Sequence, residues 1–276
     1  MHKITEIEVT NNCNLNCAFC ARGRVKNTGF MTLTVFKNIV KKLSGENCYG
    51  VYICGLGEPF LHPKLNEMIG YIKSFGMWAG LSTNGNIIQQ KNIEHFSARG
   101  LDRIDFNLPS LNKKTYEQIC PGSNHKKVIS VIHNILKNTK ITVYINFVVT
   151  LFNQHELKEN LVYWMEKGAI FNTIPYCSRG QDAETSSVPL DPDKKILKKA
   201  KTRFLKSLCC CSYLFTNYSF IGWDGYQYSC PSDIEKTKKI CFFLRTRKEK
   251  LEKKRSLSKF WRSSYCIKCR ASLAIP

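Results

Sequence analysis

The sequence predicts an α/β protein: a partial, open (βα)6 barrel of TIM-like type, followed by a small cysteine-rich α+β domain. Three observations carry this. Between Ile4 and Ile174, six short apolar runs alternate with five amphipathic helical patterns, the order that builds right-handed βαβ units on a parallel sheet. Each unusual polar motif in that region falls just after a strand, at the rim where parallel barrels assemble their sites. From Cys209 onward the rhythm stops, and the chain turns cysteine-rich, aromatic and Lys-rich. The expected organisation is a barrel over 1–180, a linker and helix over 181–208, and a cysteine-rich domain over 209–276.

The elements follow in order. Ile4, Ile7 and Val9 alternate with polar residues as a first strand. Thr32 or Thr34 caps a helix whose apolar residues Leu33, Phe36, Ile39, Val40 and Leu43 recur at three and four. Val51–Cys54 is a second strand, breaking at Gly55-Leu56-Gly57-Glu58-Pro59. Pro63 opens a helix with Leu65, Met68, Ile69 and Ile72 on one face, closed by Gly76. A third strand, Trp78–Ser82, ends at Thr83-Asn84-Gly85, and a helix then runs to Arg99-Gly100. Asp102–Leu108 is the fourth strand. A helical pattern around Val128–Leu136 leads into Ile141–Val149, the segment of strongest strand character. A helix near Glu156–Lys167 stops at Gly168, before a sixth strand over 169–174. Residues 181–192 read as a linker and Asp193–Leu208 as a basic helix. Phe220–Tyr228 reads as a hairpin about an Asp224-Gly225 turn.

Length and composition narrow the class. With 276 residues the chain can bury a large core. No apolar run approaches a membrane span, and the first residues alternate as a strand rather than as a secretory signal, so a cytoplasmic protein is expected. Fourteen cysteines in a reducing compartment argue for metal over disulfides. The formal charge of +21 favours anionic partners such as nucleic acid or nucleotide-linked substrates, although Lys-rich solvated helix faces account for it equally. The basic stretch Lys236–Arg255 is read as such a face.

Two cysteine sets carry the chemistry. Cys13, Cys17 and Cys20 lie at spacings of four and three on a loop after the first strand. Three thiolates form a soft-ligand site for zinc or an iron–sulfur cluster, with one metal position left open. Downstream, Cys211 is followed by thirteen residues, Gly225, four more and Cys230, and a Cys266-x-x-Cys269 pair comes later. Four such thiolates close around a structural zinc or a complete 4Fe–4S cluster. Cys209 or Cys210 fits the spacing as well as Cys211. Cys48, Cys54, Cys120, Cys177 and Cys241 read as small buried hydrophobes, with Cys54 and Cys177 near the rim. The six histidines show no metal spacing.

Cys13-Asn-Leu-Asn-Cys17-Ala-Phe19-Cys20 closely resembles the cluster loop of the radical SAM superfamily. The resemblance implies a 4Fe–4S cluster on these three cysteines, S-adenosylmethionine on its fourth iron, and Phe19 covering the adenine, a ring equally placed to serve the core. Gly57-Glu58-Pro59 resembles the family turn that binds the methionine amine, and Ser82-Thr-Asn84-Gly85 the strand end that meets its carboxylate or the ribose. Where the family often has Ser and then Asp after the fourth strand, this chain has Asn107-Leu-Pro109, a departure that puts that ribose contact in doubt. Asn146, Asn153 and Arg179 are weaker candidates. The second cysteine set resembles the Twitch form of SPASM auxiliary-cluster domains. The implied activity is reductive cleavage of S-adenosylmethionine and hydrogen abstraction, with a flavodoxin or ferredoxin as electron donor. A small-molecule substrate, a sugar or aminocyclitol alcohol to be dehydrogenated, is favoured. Peptide modification, epimerisation and RNA modification are the alternatives within the class, and a non-enzymatic zinc protein binding nucleic acid the alternative outside it.

Overall fold

The computed structural model describes residues 4–175, 219–228 and 239–245. Six strands run in parallel: β1 (Ile4–Ile7), β2 (Gly50–Ile53), β3 (Trp78–Thr83), β4 (Arg103–Asn107), β5 (Thr142–Val149) and β6 (Ile170–Pro175). Between them lie α1 (Leu33–Gly45), α2 (Leu65–Ser74), α3 (Gln90–Ala98), α4 (Lys113–Ile119), α5 (His125–Asn138) and α6 (Leu157–Glu166). The βα alternation and the parallel sheet expected from sequence are therefore present. Thr32 is the cap of α1, its side chain accepting from Val35 N. The helix α4 was not read from the sequence.

The hairpin is β7 (Ser219–Ile221) and β8 (Tyr226–Tyr228), joined at Asp224-Gly225, where Gly225 takes φ 76°. A further antiparallel strand, β9 (Lys239–Phe242), follows. β7 pairs in parallel with β1, Thr5 opposite Ser219 and Ile7 opposite Ile221, so the hairpin continues the barrel sheet. The order is β6-β5-β4-β3-β2-β1-β7-β8-β9, with β1 hydrogen-bonded on both sides.

Alternation along each strand divides its side chains between two environments. Ile7, Val51, Ile53, Ala79, Leu81, Ile104, Phe106, Val143 and Ile145 face the helices and join Phe36, Ile39, Val40 and Leu43 of α1 and Met68, Ile69 and Ile72 of α2 in one core. Each fully buried side chain of this size stabilises the fold by about 1.5–3 kcal/mol. The opposite face is polar. Arg103 Nε and Nη2 each donate to an Asp105 oxygen at 2.6 Å, and the guanidinium lies 3.4 Å from the Tyr144 ring centroid and 5.7 Å from that of Tyr52. Asn146 Nδ2 donates to Asp105 at 3.5 Å, and Asn172 Nδ2 to Asn146 Oδ1 at 3.3 Å. Cys54 Sγ donates to Glu6 Oε2 at 3.2 Å. This mutually satisfied network forms a floor inside the sheet's concave face. Among the described residues no helix is long and apolar enough to cross a membrane.

Candidate cluster and cofactor site

The loop that follows β1 is fastened at its base by its own asparagine and threonine. Thr10 Oγ1 donates to Gly29 O at 2.7 Å, Asn11 Nδ2 donates to Asn27 O at 2.8 Å, and Asn11 Oδ1 accepts from Gly29 N at 2.9 Å. Further along, Ala18 N donates to Ile119 O at 2.8 Å, seating the loop on the end of α4. Glu58 N donates to Asn12 O at 2.7 Å. That contact explains Gly57. A Cβ there would stand 2.6 Å from Asn12 O and closer still to Thr10 O, so the backbone that must pass close is the chain's own loop.

Glu58 is 2% exposed. Its Oε1 accepts from Thr83 Oγ1 at 2.8 Å and Phe60 N at 3.2 Å, and its Oε2 from Asn84 N at 2.7 Å. The carboxylate thus joins the end of β2 to the end of β3. Burial raises its pKa from 4.5 to about 7, against the opposing pull of those three hydrogen bonds. Asn84 Nδ2 donates to Asn14 Oδ1 at 2.9 Å and reaches Cys13 Sγ at 3.8 Å, tying β3 to the loop. Asn107 Nδ2 donates to Ser82 Oγ at 3.3 Å across β3 and β4.

These ends enclose a cavity of about 200 Å³. Cys13, Cys17, Phe19, Cys20, Gly57, Glu58, Ser82, Asn84 and Asn107 all line it, so the structure brings the barrel's expected site residues together. Val148 and Ile174, at the ends of β5 and β6, supply apolar wall that sequence reading missed, although their rim position could have revealed it. Tyr116 and Cys120 also line it; Tyr116 escaped notice with α4, and Cys120, buried as expected of a small hydrophobe, was not expected at the site. Of the weaker candidates, Asn146 belongs to the floor. Asn153 is fully buried and donates to Pro109 O at 2.7 Å and Val148 O at 2.9 Å, bracing the rim from behind. Cys48 is a buried thiol held by Gly50 O, as expected of a small core residue. The side chains of Arg179, Cys177, Cys209, Cys210, Cys211, Cys230, Cys266 and Cys269, and the segment 181–208, lie outside the described residues, and the Cys241 side chain is not described.

The three loop thiols suit an iron–sulfur cluster. Burial pushes Cys13 up to about 11, a hydrogen bond from Leu15 opposes this, and Glu58, Cys17 and Cys20 add to it. Cys17 is also pushed up, first by its hydrogen bond with Cys120 and then by burial. Crowded thiols that resist ionisation together become thiolates when a cationic metal centre coordinates them. Among the described residues no three His, Cys, Asp or Glu side chains converge as a single metal ion requires. Cys13, Cys17 and Cys20 all rim one cavity, and their soft sulfur chemistry suits an iron–sulfur centre.

The family model described as the radical SAM superfamily matches residues 7–161. A probable GTP 3',8-cyclase of Methanococcus maripaludis is 28% identical over 204 residues, 72% of this chain and 68% of that protein. The chain spans between 52% and 68% of the curated relatives it matches. Among solved structures, Streptococcus suis SuiB bound to precursor peptide SuiA is similar at a TM-score of 0.76 and 13% identity, over 100% of this chain and 71% of that one. BtrN in complex with AdoMet and 2-DOIA is similar at a TM-score of 0.61 and 15% identity, over 98% of this chain and 93% of that one. At such identities these two structures speak for the fold.

Proposed function

The chain belongs to the radical SAM superfamily and is an enzyme of it, and from that premise we propose that Cys13, Cys17 and Cys20 hold its 4Fe–4S cluster beside S-adenosylmethionine in the rim cavity. Membership sets aside the competing expectation of a non-enzymatic zinc protein. The observation that carries the assignment is the convergence of the three thiols, the Gly57-Glu58 turn, Ser82, Asn84 and Asn107 around one cavity. When bound, the cluster and S-adenosylmethionine supply a 5′-deoxyadenosyl radical that takes a hydrogen atom from substrate.

The chain's own residues bind, orient and exclude water. Glu58, its Oε1 taken by Thr83 and Phe60 and its Oε2 accepting from Asn84, keeps one acceptor site, on Oε2, for the methionine ammonium. Ser82 and Asn107 offer polar atoms to the ribose or carboxylate, and Phe19, Val148 and Ile174 provide apolar surface for the adenine. Arg103 and Asp105 on β4 pair in a bidentate arrangement that fixes both side chains. In the 209–276 region we assign a Twitch-like domain whose Cys211 (or Cys209 or Cys210), Cys230, Cys266 and Cys269 hold an auxiliary 4Fe–4S cluster.

As substrate we propose a small polar alcohol, a sugar or aminocyclitol that is dehydrogenated. Similarity over 93% of BtrN, solved with AdoMet and 2-DOIA, supports a small molecule. A nucleotide substrate is the second reading, favoured by the relatives named as GTP 3',8-cyclases and by the charge of +21. The test is anaerobic reconstitution, iron analysis, electron paramagnetic resonance and a 5′-deoxyadenosine assay, with a one-electron donor of the flavodoxin or ferredoxin class. Loss of 5′-deoxyadenosine in the Cys13→Ser/Cys17→Ser/Cys20→Ser variant is expected, and its persistence would refute the assignment. A single cluster in protein with Cys230, Cys266 and Cys269 intact would remove the auxiliary site. Deuterium transfer into 5′-deoxyadenosine from a labelled polyol, nucleotide or peptide separates the substrate readings.

A further inference from the structure

The lysines that open α4 and α5 have no part in the function described so far. Lys113 and Lys114 stand in the first turn of α4, Lys126 and Lys127 in the first turn of α5, and all four are exposed. Positive charge is unfavourable there, because a helix N-terminus already carries the positive end of the dipole. Neither first turn holds an acidic residue, and both caps, Asn112 and Asn124, are uncharged. α2 and α6 follow the opposite rule, with Glu67 and Glu159 in their first turns, and Glu67 pairs with Lys64 at 2.8 Å. Among the described residues none of the four lysines has a carboxylate within ion-pair distance. A repulsion left standing in the free protein is relieved by an anionic partner.

This corner of the rim is seated on the cysteine loop. Ala18 N donates to Ile119 O at 2.8 Å at the end of α4, and a Cβ on Gly122, in the turn between the helices, would lie 3.9 Å from Leu15 Cδ2. The rings of Tyr116 and His125 meet edge-on at 5.4 Å, and Asn124 N donates to Asn86 Oδ1 at 2.6 Å, which fixes the start of α5 against α4 and the site. Asn14, Asn16, Pro121 and Gly122 are exposed, so loop and lysines share one solvent-facing surface beside the half-buried thiols. We propose that this corner is the docking surface for an acidic one-electron carrier protein that reduces the cluster. The proposal rests on the reading that Cys13, Cys17 and Cys20 hold that cluster. One electron leaves the carrier, a flavin hydroquinone becoming the semiquinone, and the oxidised 4Fe–4S centre gains it; no proton passes to the enzyme. Complementary charge speeds the encounter and turns the carrier's centre toward the loop. Nucleic acid is the other anion of sufficient size, and the seating of the cluster loop on the same corner favours the carrier.

The experiment compares reconstituted full-length wild type, Lys126→Glu/Lys127→Glu, and Lys137→Glu/Lys140→Glu, which makes the same charge change at the other end of α5. Flavodoxin and a plant-type ferredoxin are the probes. Binding of the oxidised carrier is read by calorimetry, and reduction of the cluster by the reduced carrier by stopped flow. Lys126→Glu/Lys127→Glu should weaken binding and slow reduction about tenfold or more at low salt, while the other variant stays near wild type. At about 1 M salt, where charges are screened beyond about 3 Å, the difference should vanish. Misfolding is read separately: glutamate suits a helix N-terminus, so urea unfolding of Lys126→Glu/Lys127→Glu should match or exceed wild type. Unchanged binding and reduction in that variant, an equal loss in both variants, or no binding of either carrier to wild type would each overturn the proposal alone. So would loss of a single-stranded RNA oligonucleotide from Lys126→Glu/Lys127→Glu with carrier binding intact. Absence of any cluster from wild type with its loop cysteines intact would overturn the underlying reading and this proposal with it.

Discussion

Glu58 makes the stability of the cluster-free protein depend on pH in a window that can be stated in advance. Its folded pKa is raised from 4.5 to about 7, because burial penalises the charge more than Asn84 N, Thr83 Oγ1 and Phe60 N reward it. A carboxyl whose folded pKa lies above its unfolded value favours folding when protonated. That contribution is fully present below about 4.5 and is lost as pH rises through about 7. Between those limits the loss is about 3 kcal/mol, at 1.36 kcal/mol for each decade of proton affinity. Other groups titrate nearby. Burial lowers His62, His125 and His133, whose contributions are lost in the opposite direction, as pH falls through their folded values. The difference between wild type and Glu58→Gln isolates the carboxyl from them. Urea unfolding of both metal-free proteins from pH 4.5 to pH 8 should show wild type losing about 3 kcal/mol relative to the variant as pH rises. A constant difference across that range would refute the account of Glu58 as a buried, internally held carboxyl.

Gly57→Ala should destabilise by about 1–3 kcal/mol, because the new methyl group has only backbone oxygen to displace, and iron retained after reconstitution should fall with it. Unchanged unfolding and iron content would contradict the close approach of the loop. Asn153→Ala leaves the carbonyls of Pro109 and Val148 without this buried donor and should cost about 2–3 kcal/mol by urea unfolding, with weaker S-adenosylmethionine binding by calorimetry. Arg103→Met strips Asp105, 2% exposed, of its bidentate partner and should cost about 3 kcal/mol or more, whereas Arg103→Met/Asp105→Leu should recover most of it. Equal loss in the single and double variants would show that packing on Tyr52 and Tyr144 outweighs the charge pair.

The barrel was legible because its signals are local and repeated. Leu65, Met68, Ile69 and Ile72 fall on one helical face, and Ile4, Ile7 and Val9 alternate, whatever lies elsewhere in the chain. The rim residues were legible for a related reason: in a parallel sheet, the end of every strand points to the same side. α4 was not, since seven residues offer too few apolar positions for a period to emerge, although Asn112 caps it by accepting from Lys114 N and Thr115 N. Tyr116 went unassigned with it, and Cys120 was read only as a small buried hydrophobe. Nor could the sequence reveal that the hairpin lies against β1, because an Asp-Gly turn sets the pairing of two neighbouring strands and says nothing about a distant third. Gly57 was read from the sequence as part of a turn that binds the methionine amine. Only the loop's path shows that it makes room for Thr10 and Asn12.

The placement of β7 beside β1 also sets a schedule for biosynthesis. Thr5 and Ser219 are partners separated by 214 positions, the difference of their numbers. At about 5–20 residues per second, a ribosome needs roughly 10–40 s to make the second after the first. Until then the strand that leads into Cys13, Cys17 and Cys20 lacks its β7 neighbour, with backbone donors and acceptors on that side unpaired. The loop that carries these cysteines is made long before β7 and, on this schedule, waits for that neighbour to complete its support. Iron loaded after release from the ribosome would therefore meet a firmer site than iron offered to the nascent chain.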